Sequence, residues 1–99
     1  MIFKRFWPIR RFKVKGNSMK PNFWGGQYLV AFSWFKSLKI GDVVVLDGPS
    51  LSKKIVKRIA KIKNNQYFVV GDNLNKSLDS RSFGWVKKED ILGKVINSF

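Results

Sequence analysis

The stretch Lys54-Ile55-Val56-Lys57-Arg58-Ile59-Ala60-Lys61-Ile62-Lys63-Asn64-Asn65-Gln66-Tyr67-Phe68-Val69-Val70 decides the fold. From Lys54 to Ile62 the side chains alternate with a period of two, the spacing of a β-strand rather than a helix. That alternation places Ile55, Lys57, Ile59 and Lys61 on one face and Val56, Arg58, Ala60 and Ile62 on the other. Asn64-Asn65 reads as a hairpin turn, and Tyr67 to Val70 as the returning strand. Lys57 is thereby set among isoleucines, a place where a lysine becomes at least partly buried.

Outward from this hairpin the same pattern repeats. On its N-terminal side Phe12 and Val14 alternate with Lys13 and Lys15, and Gly16 to Pro21 breaks that strand. Gly25-Gly26 is a turn into Gln27–Ser33, a strand rich in aromatic and β-branched residues. Ile40-Gly41-Asp42 leads into the apolar run Val43 to Leu46, and Asp47-Gly48-Pro49-Ser50 is a loop. On the C-terminal side, Gly71 to Gly84 is polar and long for a connection, the mark of a functional or tightly hydrogen-bonded loop. Trp85-Val86 and Ile91 to Ile96 complete the strands, with one helical turn expected over Lys87 to Asp90. The expected fold is all-β, with about seven short, mainly antiparallel strands in a small β-barrel or coiled sheet and at most one or two helical turns. Residues 12–99 are expected to form a single domain, preceded by a basic aromatic arm at residues 1–11.

Composition narrows the function. The chain has 99 residues, 20 Lys and Arg against 6 Asp and Glu, and a net charge of +14. Such a field attracts anionic partners: nucleic acid, acidic lipid or an acidic substrate. With no cysteine, disulfides and thiolate metal sites are excluded. With no histidine either, a zinc site would need carboxylates alone, so neither a metal nor another cofactor is expected. No run approaches the ~20 apolar residues that span a bilayer, and the N-terminus lacks the apolar core and small-residue cleavage site of a secretory signal. The chain as given is therefore expected in the cytoplasm or peripherally at the cytoplasmic membrane.

Three features carry candidate chemistry. Ser18 sits between Gly16 and Pro21, which would hold it at an exposed turn. A serine hydroxyl is a poor nucleophile until a base removes its proton, and in a chain without histidine lysine is the natural base. Lys57 meets that need only when neutral, and burial is the most effective way to make it so. Within Gly71 to Gly84, Asp79 and Arg81 can pair to fix the loop, and Ser77 can orient a lysine amine. Each alone has a plainer reading: Ser18 bonding its own turn, Lys57 snorkelling from an edge strand, the loop an ordinary Asx-rich turn.

Taken in order, Gly16-Asn17-Ser18-Met19-Lys20-Pro21, Gly41 to Leu46, Lys57-Arg58 and Gly71 to Gly84 resemble the boxes of the type I signal peptidase family of serine proteases. The resemblance runs from about Phe12 to Ile96, and the last box is the most specific. It implies an endopeptidase that removes an N-terminal leader or propeptide through an acyl-enzyme. Ser18 would be the nucleophile, with its backbone N–H an oxyanion donor, and Lys57 the general base. Ser77 would orient Lys57, Asp79 and Arg81 would form a structural ion pair, and Met19 would line the substrate groove. The implied partner is a preprotein in extended conformation bound along a strand edge, and the implied state is a monomer.

The departures from the family pattern are also informative. Some members carry a serine two residues before the nucleophile, where this chain has Gly16, so the second oxyanion donor falls to Asn17 or a water. Only thirteen residues separate Lys57 from Gly71, too few for the extra β-domain of larger members. In pattern the chain is similar to the short, anchor-less nickel-type superoxide dismutase maturation proteases and to mitochondrial inner-membrane peptidases. The alternative reading is a basic β-barrel module that binds an anionic membrane surface or nucleic acid, the latter without any recognised stacking motif. About half of the rings at Phe23, Trp24, Trp34 and Phe35 are expected in the core, the rest being free for such contact.

Overall fold

The computed structural model describes residues 8–48, 53–73 and 78–98. Among these residues seven strands, β1 (Ile9–Lys13), β2 (Tyr28–Phe32), β3 (Val43–Asp47), β4 (Lys54–Lys63), β5 (Gln66–Val70), β6 (Val86–Lys87) and β7 (Ile91–Ser98), make one sheet in the order β1-β2-β7-β3-β4-β5-β6. Every pairing is antiparallel. A four-residue helix, α1 (Ser80–Phe83), and a 3₁₀ turn at Lys88–Asp90 are the helical elements among the described residues.

The fold is all-β, but the sheet is not closed into a barrel. β1 and β6 stand at opposite ends of the strand order. β6 is two residues long, and β1 carries Arg10, Arg11 and Lys13, so neither edge offers a matching ladder for closure. β1 also starts at Ile9, three residues before the apolar alternation begins: Ile9, Arg10 and Arg11 pair with Phe32, Ala31 and Val30. Backbone pairing there recruits a basic segment that hydrophobic patterning alone does not mark as a strand.

β3 occupies the centre, between β7 and β4, which explains its continuous Val43-Val44-Val45-Leu46 run: all four residues are buried. Val44 and Leu46 join Leu38, Ile59, Tyr67, Val69, Val86 and Ile91 in one core cluster, against which Phe35, Ile55 and Phe83 pack. The other buried apolar residues, among them Met19, Leu29, Ala31, Val43 and Val45, lie outside that cluster. Of the four aromatic residues expected to divide between core and surface, Phe23 and Phe35 are partly buried, while Trp24 and Trp34 are more than half exposed.

The β4–β5 hairpin turns at Asn64-Asn65, both with positive φ. One register expectation fails here. Arg58 and Ile59 lie opposite Val70 and Val69, but Lys61 and Ile62 lie opposite Phe68 and Tyr67, so the register slips at Ala60. An extra residue on one strand reverses the alternation beyond it. Lys61 therefore leaves the face of Lys57 and Ile59, and its ammonium lies 5.3 Å from the Phe68 ring.

Candidate active site

Lys57 is opposite Val44 in the β3–β4 ladder, and Ile59 follows it on the same face. Facing residues share a side of the sheet, so the lysine projects onto the face that builds the core cluster. It is 3% exposed. Burial pushes its pKa below the ordinary lysine value; the Asp79 carboxylate opposes that shift and the Arg81 guanidinium adds to it. Its neighbour Arg58 points the other way.

Asp79 is fully buried and caps α1. Its Oδ1 accepts from the Arg81 backbone N–H at 3.1 Å and from Arg81 Nε at 2.9 Å; Oδ2 accepts from Arg81 Nη2 at 2.8 Å and from the Gly71 N–H at 2.9 Å. The neighbouring Ser80 hydroxyl accepts the Val69 N–H at 2.8 Å, fastening α1 to β5. The end of the Asx-rich loop is thus a helix start, capped by Asp79 and locked to the strand that pairs with β4. Ser77 lies outside the described residues.

Ser18 is half-buried in the turn that follows Val14. The base of that turn is closed by Val14 N–H to Gln27 C=O and Gly26 N–H to Val14 C=O, both 2.8 Å. Gly16 has φ +77°, a conformation that side chains disfavour, and a Cβ on Gly25 would come 3.2 Å from the Gly16 carbonyl oxygen. Gly16 thus takes a conformation that favours glycine, and Gly25 packs closely against it, at the point where the chain bends toward Ser18. The Lys20–Pro21 peptide is cis. Met19 points inward at 1% exposure, beneath the turn, and its Sδ accepts the Asp72 N–H at 3.4 Å.

Sequence reasoning assigned no role to Asp72, Asn73 or Asn22, yet they carry the contacts that bring these pieces together. Asn73 donates its backbone N–H to Ser18 C=O at 2.8 Å and its side-chain amide to Asn17 C=O at 3.1 Å. Asp72 accepts two hydrogen bonds from Arg58, both 2.8 Å, and one from Asn22 Nδ2, also 2.8 Å. Arg58 also donates to the Gly41 carbonyl. The guanidinium holds the Asp72 carboxyl below the usual carboxylate range, and the carboxylate holds Arg58 above its own. The signal for this network was present in Gly71-Asp72-Asn73 beside Lys57-Arg58, two polar boxes whose charges are complementary.

Pairing between β4 and β5 begins at Arg58, whereas β3 pairs with β4 from Lys54 onward. Among the described residues, the half of β4 that leads to Lys57 is therefore paired on one side only. A cleft of about 1080 Å³ opens elsewhere, between Arg10, Trp34, Lys36, Tyr67 and Lys88. None of the candidate residues lines it, and its lysines are exposed where Lys57 is buried.

Comparison with known proteins agrees with the boxes. The model of the family described as signal peptidase, peptidase S26, matches residues 1–62 and 60–99. The chain is 38% identical over 61 residues to a signal peptidase I of Buchnera aphidicola, covering 54% of this chain and 20% of that protein. It is 40% identical over 60 residues to signal peptidase I V of Bacillus subtilis, covering 61% and 34% respectively. A probable signal peptidase I-2 of Synechocystis is 44% identical over 39 residues, 39% of this chain and 18% of that protein. The chain thus spans about a third or less of these curated relatives. With family matches over both halves, the chain belongs to the S26 signal peptidase family.

Proposed function

We propose that this chain is a serine endopeptidase core that removes an N-terminal leader or propeptide from a preprotein, with Ser18 as nucleophile and Lys57 as general base. The observation that carries the reading is the burial of Lys57 on the core face of β4, where its charged form is disfavoured. A lysine that merely served solubility would lie at the surface.

In this reading the neutral Lys57 amine takes the Ser18 hydroxyl proton as Oγ bonds to the scissile carbonyl carbon. The carbonyl oxygen becomes an oxyanion, to which the Ser18 N–H donates. Collapse breaks the C–N bond, and the Lys57 ammonium protonates the leaving amine. Water then attacks the ester; Lys57 takes its proton and returns one to Ser18 Oγ, restoring the enzyme. Ser77 orients the amine, while Asp79 and Arg81 hold the loop that carries it. Met19, buried at 1% exposure, supports the turn from below rather than meeting substrate directly. The singly paired edge of residues 54–57 offers an extended preprotein a strand to lie beside.

The test is cleavage of a synthetic leader peptide with alanines before the scissile bond, followed by mass spectrometry, using the parent chain, Ser18→Ala and Lys57→Met. Parent chain mixed with peptide is expected to show an acyl adduct on Ser18 and released product. Each variant is expected to lose at least a thousandfold in rate while keeping its fold. Retention of activity by either variant would remove the dyad.

A further inference from the structure

The turn that presents Ser18 is attached to the rest of the molecule at both of its ends, by two consecutive residues. At its start, Asn73 holds the carbonyls of Asn17 and Ser18. At its end, Asn22 donates to the Asp72 carboxylate at 2.8 Å. The same Oδ2 that accepts Asn22 also accepts Arg58 Nη2, and Arg58 is the residue next to Lys57. A continuous chain of hydrogen bonds therefore runs from the far end of the nucleophile turn, through one carboxylate, to the strand that holds the lysine.

We propose that Asn22 is a positioning residue: by bonding Asp72 it sets the Ser18 turn in register with Lys57. The inference rests on the dyad reading above.

Three properties of the contact favour this role over simple stabilisation. Asn22 is exposed, so its side chain contributes little to the core. Asp72 is already satisfied by the two-pronged Arg58 contact, so losing Asn22 leaves no buried charge without a partner. Within the turn, the Asn22 and Phe23 N–H groups both bond to the Met19 carbonyl, at 3.0 and 2.9 Å, so movement of Asn22 is transmitted to the residue adjacent to Ser18. What changes when the link is cut is the placement of the hydroxyl, and misplacement by about 1 Å lowers rates by about a hundredfold. Asn22 lies outside Gly16 to Pro21, where the sequence signature ends.

Two measurements on the full chain test this. Against the alanine-bearing leader peptide, Asn22→Ala is expected to lower kcat by about ten- to a hundredfold with KM little changed and the melting temperature within a few degrees of the parent. Asn22→Gln, which keeps the donor on a longer stem, should recover part of the loss, and Asn22→Asp, which sets a second carboxylate against Asp72, should lose more. In an Asp72→Ala background, Asn22→Ala should have no further effect. Unchanged kcat in Asn22→Ala, or additive losses in the double variant, would overturn the proposal.

The second measurement does not need activity. Amide hydrogen exchange in Asn22→Ala, corrected for intrinsic rates, should accelerate at position 22 and at Phe23 and stay constant at Ile59 and Val69. Unchanged exchange in the turn overturns the positioning role. A parent chain that never cleaves the peptide would instead count against the dyad reading, leaving exchange to decide the role of Asn22.

Discussion

Lys57 and Arg58 are adjacent cations in one strand, and the sheet gives them opposite fates. Lys57 faces the core cluster at 3% exposure, and burial drives its pKa down. Arg58 faces the other side and meets Asp72 through two 2.8 Å hydrogen bonds, which push its pKa up. A carboxylate is felt on each face, but the two are used differently. Asp72 is given to Arg58. Asp79, which favours the charged form of Lys57, already spends both oxygens on Arg81 and two backbone N–H groups. Burial has the largest say at Lys57, and the hydrogen-bonded carboxylate has it at Arg58. An arginine holds its charge under any such arrangement; a lysine whose burial outweighs a nearby carboxylate can surrender it.

The largest expected effect comes from removing the carboxylate that Arg81 claims. Asp79→Ala strips a fully buried group that caps α1 and accepts the Gly71 N–H. Losing the cap and leaving the buried Gly71 N–H without its acceptor together cost about 2–4 kcal/mol, and urea unfolding should show a loss in that range. A loss below about 1 kcal/mol would mean that the loop is held by other means and that Asp79 is not the anchor of the Lys57 face.

The sharpest test of the comparison is a matched pair of substitutions in β4. Arg58→Met deletes the partner of Asp72, whose side chain is 10% exposed, and should destabilise by roughly 2–3 kcal/mol, the scale of lost hydrogen bonds to a charged group. Lys57→Met keeps length and apolar packing while removing an amine from the core face. It should stabilise by about 1–2 kcal/mol, because an amine whose charged form is disfavoured by burial is replaced by an apolar group of similar size. Two adjacent cations replaced by the same residue would then shift the unfolding midpoint in opposite directions. Shifts of the same sign would break the comparison.

How much of this was legible beforehand depended on whether a feature was local. The hairpin, the central Val43–Leu46 strand and the helical turn near Lys88 follow from alternation, β-branching and turn residues close in sequence. The bulge at Ala60 does not, because nothing in Lys-Arg-Ile-Ala-Lys-Ile distinguishes a perfect alternation from one that slips. Strand β1 was half visible: Phe12 shows the pattern, but Arg10 and Arg11 are recruited by backbone bonds to β2 that polarity does not announce. The open sheet was not legible either, since closure depends on whether β1 and β6, remote in sequence, have edges that match. Within the site, Lys57 stood out because a lysine among isoleucines is chemically incongruous. Asn22 and Asp72 did not, because their partnership spans fifty residues and each is an ordinary loop residue alone.

The smallest effect is a pH shift, and it bears most directly on why Lys57 and Arg58 differ. Unfolded, Lys57 has the ordinary pKa of 10.5; folded, its pKa is lower. Between those two values the unfolded chain binds the extra proton, so stability attributable to this residue should rise with pH across that window and be flat below the folded value. Lys57→Met should abolish the rise, a difference readable from unfolding midpoints taken across the alkaline range. Arg81 lowers the Lys57 pKa from beside it, so Arg81→Met should raise the folded pKa and make the rise begin at higher pH. If the neutral amine is the working form, the acidic limb of the activity profile must move the same way. An activity limb that stays put while the stability window moves would show that the proton governing turnover resides on some group other than Lys57. The asymmetry between the two cations would then belong to folding alone.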